Sequence, residues 1–306
     1  MYGNPMHDHG PHDHGRGAGR RRLAWALAIT VGVLLVEAVG AAVTGSLALL
    51  ADAGHMAVDA LGLTAALVAA MLARRPPSLH RTYGLGRAEV LAAALNALVL
   101  LAVAGFVAIE AVSRLADPPP VPGVPLLVLG ALGLAGNLAA LAVLAGGDRH
   151  DLNLRGALLE VAGDALGSVA VLAAAAVVLT TGARIADPIA SLLIAALIAP
   201  RALALLRDAA HVLLEGAPRH LDPAAVHRAL REVPGVHDVH HLHLWTITSG
   251  RHAVSAHLVV TETARVHCGS ASVLDAAGDA LHRLFGLTHS TLQLEHGQHA
   301  EHEHPC

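Results

Sequence analysis

The chain has 306 residues, of which 54% are hydrophobic and 14% charged, whereas an ordinary soluble domain carries about 25% charged residues. Aromatic residues make up only 2%, so the apolar surplus is aliphatic, and mean hydropathy is +0.55. These values exclude a disordered chain and argue against a purely soluble globule; the net charge of −4 carries no nucleic-acid signature. Cys268 and Cys306 cannot build a disulfide framework.

Residues 1–22 form a polar tail rich in Gly and His that ends in Arg20, Arg21 and Arg22. The apolar run that follows is too long for the core of a signal peptide and is followed by further runs, so it is read as a retained first span. A spanning helix needs about 20 mostly apolar residues. Six stretches qualify: 23–44, 47–73, 88–114, 123–145, 156–181 and 187–206. Thr44, Gly45 and Ser46 leave only a tight turn between the first two, and Pro118, Pro119 and Pro120 end the third. Pro200 falls inside the sixth run, where it is expected to kink that helix or end it early. Twelve arginines (Arg16, 20, 21, 22, 74, 75, 81, 87, 149, 155, 201 and 207) lie on one side of the spans, against Arg114 and Arg184 on the other. The positive-inside rule then puts both termini in the cytoplasm of a multi-pass protein of the cell membrane.

Beyond about residue 208 the pattern changes. A short helix at 223–233 with Asp222 as N-cap precedes alternating strands at 236–247 and 252–260, a helix at 270–285 and a strand at 288–294. The fold class expected is an α-helical membrane protein of six transmembrane helices with a C-terminal cytoplasmic α-β-β-α-β domain. The boundaries are 1–22 for the N-terminal tail, 23–208 for the membrane domain, 209–295 for the cytoplasmic metal-binding domain and 296–306 for a His-rich tail.

Ionisable side chains inside spanning helices are costly and mark functional sites. The second span carries His55 and Asp59, the fifth Glu160 and Asp164. Each is an i, i+4 pair and so lies on one helix face. Two such faces together supply four N/O ligands, the count for a tetrahedral divalent ion, and three carboxylates with one imidazole neutralise it. The plainer alternative for either pair alone is an interhelical hydrogen bond. Asp52, three residues before His55, is expected to orient a ligand. Glu37, Asn96, Glu110 and Asn137 are read as interhelical hydrogen-bonding groups, and Gly130, Gly133 and Gly136 as points of close helix packing.

These residues resemble the cation diffusion facilitator family of zinc and heavy-metal efflux transporters. The likeness covers about residues 20–295 and rests on the stretches 46–59, 81–91 (Arg-Thr-Tyr-Gly-Leu-Gly-Arg-Ala-Glu-Val-Leu), 163–168, 187–191 and 214–218. The resemblance implies a homodimer, six helices per protomer, a cytoplasmic metallochaperone-like domain, and a transport site on the second and fifth helices. His55, Asp59 and Asp164 fall on three of its ligand positions. Glu160 departs from the pattern, since similar zinc-handling members have His there; a carboxylate is the harder ligand. Zinc stands first as cargo, with cadmium, cobalt, manganese and iron open.

The 23 histidines sort by place: four in each tail, twelve between His211 and His289, and only His55, His80 and His150 in the apolar middle. Strand alternation puts His241 and His243 on one face of the first strand and His240 on the other. By resemblance, His240, His257 and Glu295 match the metal ligands of the cytoplasmic domain. His267 with Cys268 is read as an ordinary helix entry, and the tail histidines as loose metal collectors.

The function expected is export of a divalent metal from the cytoplasm by alternating access. Protons and metal compete for the same lone pairs; the direction and the metal/proton antiport are implied by the resemblance. The partners are metal ions, protons, the lipid bilayer and a second copy of the chain, without nucleic acid or an obligatory cofactor; metal serves as substrate and as ligand of the cytoplasmic domain. The alternatives are an intramembrane metalloenzyme, which lacks a His-Glu-x-x-His stretch, and a membrane metal sensor. A non-enzyme is favoured.

Overall fold

The computed structural model describes residues 13–145, 152–248, 250–261 and 269–295. The histidines of the C-terminal tail, His7, His9 and His12 of the N-terminal tail, and His267 and Cys268 lie outside them. Six helices are long and apolar enough to cross a membrane: α1 (Asp13–Thr44), α2 (Leu47–Ala73), α3 (Ala88–Ala116), α4 (Gly123–Ala145), α5 (Leu152–Thr181) and α6 (Ala186–Leu213). They are followed by α7 (Pro223–Arg231), β1 (Val236–Thr248), β2 (Arg251–Val260), α8 (Gly269–Phe285) and β3 (His289–Glu295). The α-β-β-α-β order is the one anticipated.

Boundaries differ at several element ends, most at α1 and α6. Helix α1 starts at Asp13, ten residues before the apolar run; those ten residues are polar and Gly-rich, so the hydrophobic window does not detect them. Pro200 does not end α6, which continues to Leu213; inside a bundle the single lost backbone bond is offset by apolar packing on both sides of it.

The described residues divide into two compact units, Met1–Leu61 with Asn96–Leu203, and Gly62–Leu95 with Ala204–Cys306. In the first, α4 packs along both α1 and α5. Its glycines make this possible: a Cβ on Gly133 would overlap Glu37 of α1, one on Gly136 would overlap Val33, and one on Gly130 would meet Val171 of α5 at 3.1 Å. Leu47, Leu49, Leu126 and Val171 are fully buried in the core that all six helices share. The outer faces keep large aliphatic side chains exposed, among them Leu35, Val43, Leu67, Ile109 and Leu193, which is the surface a lipid solvent requires.

The start of α2 is fixed from a distant part of the chain. Asp187, in the first turn of α6, is 1% exposed. Its carboxylate accepts from the backbone N–H of Leu47 at 2.8 Å and of Ala48 at 3.4 Å, and from the Ser46 hydroxyl. These are orphan donors of a helix N-terminus, which a buried end must satisfy. The conjunction of the 46–59 and 187–191 stretches is therefore a cap shared between two helices.

In the second unit the sheet order is β1-β2-β3, with β1 antiparallel and β3 parallel to β2. Parallel strands need a crossover, and α8 supplies it. Asp222 caps α7 by accepting from Ala224 N at 3.0 Å, with Pro223 at the first helical position. The core gathers Val226, Leu230, Leu244, Leu258, Leu281 and Leu287. The 81–91 stretch packs on this sheet. Thr248 Oγ1 donates to Glu89 Oε2 at 2.8 Å, the Tyr83 ring meets His289 at a tilt with centroids 5.6 Å apart, and a Cβ on Gly86 would press on Thr248 at 3.2 Å. Arg87 pairs with Glu215 at 3.1 Å. In the 214–218 turn a Cβ on Gly216 would overlap the His211 ring, so only glycine fits there.

Candidate metal centre

Helix periodicity sets Asp52, His55 and Asp59 on one side of α2. His55 is 8% exposed, Asp52 1% and Asp164 3%. His55 Nε2 lies 3.2 Å from Asp164 Oδ1 of α5, in hydrogen-bond contact. Its Nδ1 lies 3.4 Å from Asp59 Oδ2, without hydrogen-bond geometry. One imidazole thus stands between carboxylates of two helices. Glu160 is half-buried one helical turn before Asp164; among the described residues it has no ion pair or hydrogen bond with the other three. Asp52, His55 and Asp59 line a cavity of about 180 Å3 with Gly163, Gly167 and Arg201. The side chain of Asp52 fits only because residue 167 is glycine: a Cβ there would come 2.5 Å from Oδ1.

Arg201 is the residue that sequence reasoning missed. Counted among the arginines that close the sixth span, it lies within α6 and lines the same cavity as His55 and Asp59. The signal was the apolar stretch on both sides of Pro200-Arg201, which permits a helix longer than the window.

The other polar groups divide. Asn137 Nδ2 donates to Ser168 Oγ at 3.1 Å, the interhelical bond expected of it. Glu110 pairs with Arg114 on its own helix at 2.9 Å instead of reaching across to another. Glu37 is fully buried, and neither of its oxygens has a hydrogen-bond partner among the described residues.

In the second unit, His240 and His257 are cross-strand partners on β1 and β2. Glu295, at the end of β3 and 2% exposed, reaches both: Oε2 is 3.1 Å from His240 Nε2 and Oε1 is 2.7 Å from His257 Nδ1. Gln293 Nε2 donates to Glu295 Oε1 at 2.6 Å. The alternation that would turn His241 away from His240 is broken. His241 has φ 49, and the β1–β2 register shifts between His240 and His243. This bulge swings His241 over to stack on His257, with ring centroids 5.1 Å apart. Among the described residues, only His240, His241 and His257 bring three donor atoms within 4.8 Å of one another. A fourth oxygen from Glu295 would complete an N3O donor set of the kind zinc accepts.

Residues 23–214 match the cation efflux transmembrane domain, and residues 218–297 the cytoplasmic domain of cation efflux proteins. The chain belongs to the cation efflux family. It is 38% identical over 290 residues, 94% of this chain and 92% of the other, to the cadmium, cobalt and zinc/H(+)-K(+) antiporter of Bacillus velezensis. It is 41% identical over 284 residues (93% and 89%) to the metal cation efflux system protein CzcD of Cupriavidus metallidurans. It is 39% identical over 278 residues (90% and 87%) to the zinc transporter ZitB of Escherichia coli. The protein is a multi-pass membrane transporter for cation efflux: the spans were expected from the apolar runs, and efflux from the resemblance.

Proposed function

We propose that this chain exports zinc, and with it chemically similar divalent ions such as cadmium and cobalt, from the cytoplasm in exchange for protons. His55, Asp59, Glu160 and Asp164 hold the ion on its way. The observation that carries this is the His55 ring, buried between Asp59 and Asp164 of two different helices. An imidazole between carboxylates is a ligand set that takes either a metal ion or protons, because both use the same lone pairs. Arriving metal displaces protons, and protons returning from the far side release it. The names of the three relatives, which mention cadmium, cobalt, zinc and H(+)-K(+) antiport, support the choice of cargo and counter-ion.

The chain acts as a homodimer in the cell membrane with both termini in the cytoplasm, and needs no obligatory cofactor. His240, His257 and Glu295, joined by His241, bind metal in the cytoplasmic domain, where it reports or stabilises the loaded state. The His-rich tails raise the local metal concentration.

Inverted membrane vesicles provide the test. Zinc uptake is expected to rise with an imposed pH gradient, acid inside, and to be lost in Asp164→Ala while that variant still inserts as a dimer. Uptake indifferent to the gradient would remove the exchange; normal uptake by Asp164→Ala would remove the site.

A further inference from the structure

Glu37 sits in α1, away from the four candidate ligands in sequence, yet in the same bundle. Its side chain is 0% exposed, and both of its oxygens lack a hydrogen-bond partner among the described residues. An ionised carboxylate in that condition is disfavoured unless a positive charge or a proton meets it.

The surroundings decide which. From α4 comes Gly133, where a Cβ would overlap Glu37 Oε1. From α5 come Asp164 and Ser168, whose hydroxyl accepts from Asn137 of α4 and lies near Glu37 without hydrogen-bond geometry to it. From α2 comes Asp52, itself 1% exposed with Oδ2 unpartnered. The charged groups in electrostatic reach of Glu37 are thus two further acids, and its contact with Gly133 is too tight to admit a Cβ. A hydrated ion does not fit in that contact; a proton does.

We propose that Glu37 carries a proton of the exchange cycle at a site separate from the metal ligands. With the transport site free of metal, one oxygen of Glu37 holds the proton as a neutral carboxyl group. Metal arriving beside Asp164 adds two positive charges nearby; the O–H bond breaks, the proton leaves to water, and the carboxylate balances part of the new charge. When the metal departs, a proton from the other side of the membrane re-forms the O–H bond. This deepens the exchange reading and rests on it.

Zinc titration calorimetry of the full-length protein in lipid nanodiscs, in buffers of different ionisation enthalpy, counts protons released per zinc. Glu37→Gln is expected to bind zinc while releasing about one proton fewer per protomer, and Glu37→Asp to restore the release. Equal release from wild type and Glu37→Gln overturns the assignment of Glu37 and leaves the exchange intact. No release from wild type overturns the exchange itself. Should Glu37→Gln fail to fold, the infrared difference between zinc-bound and zinc-free wild type decides. A protonated-carboxyl band must disappear on zinc binding and shift in Glu37→Asp; an absent or unshifted band overturns the proposal.

Discussion

At position 160 the proposed site carries a carboxylate where an imidazole would be the softer donor, and this bears on the choice of metal. An imidazole nitrogen is a softer donor than a carboxylate oxygen, and zinc sites with more nitrogen discriminate better against hard ions such as manganese. With Glu160, three of the four candidate ligands are oxygen donors. Replacing Glu160 by His is expected to shift transport toward zinc over manganese by about threefold to tenfold, read in a competition series across zinc, cadmium, cobalt, manganese and iron. An unchanged selectivity would take Glu160 out of the ligand set. Arg201 adds a fixed positive charge to the same cavity as Asp59. It repels a bound dication and attracts the free carboxylates, so it favours a site that releases its cargo over one that traps it.

Helix ends matter as much as helix faces. The first turn of α2 must be held in place for His55 and Asp59 to meet α5, and Asp187 is what holds it. Asp187→Ala removes acceptors from a buried helix start and leaves the donors of Leu47 and Ala48 unpaired. The expected loss is about 2 kcal/mol, read as a lower thermal midpoint in detergent. Asp187→Asn, which keeps one acceptor oxygen, is expected to lose less. A midpoint unchanged in Asp187→Ala would show that water satisfies these groups. At the other end of the size scale, the bulge at His241 shows one residue changing the composition of a site: a strand without it presents two histidines on that face, and with it three.

For the molecule as a whole, candidate metal ligands occur in both compact units, His55 and its carboxylates in one and the His240–Glu295 cluster in the other. Proton concentration acts on the second unit through an additional group. Burial, and then the charge of His220 beside it, hold His252 below its ordinary 6.5. The unfolded chain therefore binds a proton there more readily than the folded one. The stability contributed by the neutral ring is fully present above about pH 6.5 and declines as pH falls through the unfolded value toward the folded one. His252→Gln, which keeps a partner for Thr246, is expected to flatten the fall in thermal midpoint on going from about pH 7.5 to about pH 5.5. An equally steep fall in the variant would assign the dependence to other groups.

Six spans, the α-β-β-α-β order and two i, i+4 pairs, one His-Asp and one Glu-Asp, are legible in the chain alone. Each is encoded locally: apolar run length, a period of two or of 3.6, and an i, i+4 spacing. Glu37 was visible as an intramembrane acid, but that neither oxygen has a hydrogen-bond partner among the described residues was not. Only the tertiary structure decided which far-separated groups meet: Asp187 with the start of α2, Arg201 with the His55 cavity, His241 with His257, and Glu37 with the α4 glycine face. The reason is the same in each case. A contact across nearly a hundred residues or more, a single bulged residue, or a helix that outruns its hydrophobic window leaves no periodic trace in the chain; it exists only once the elements have packed.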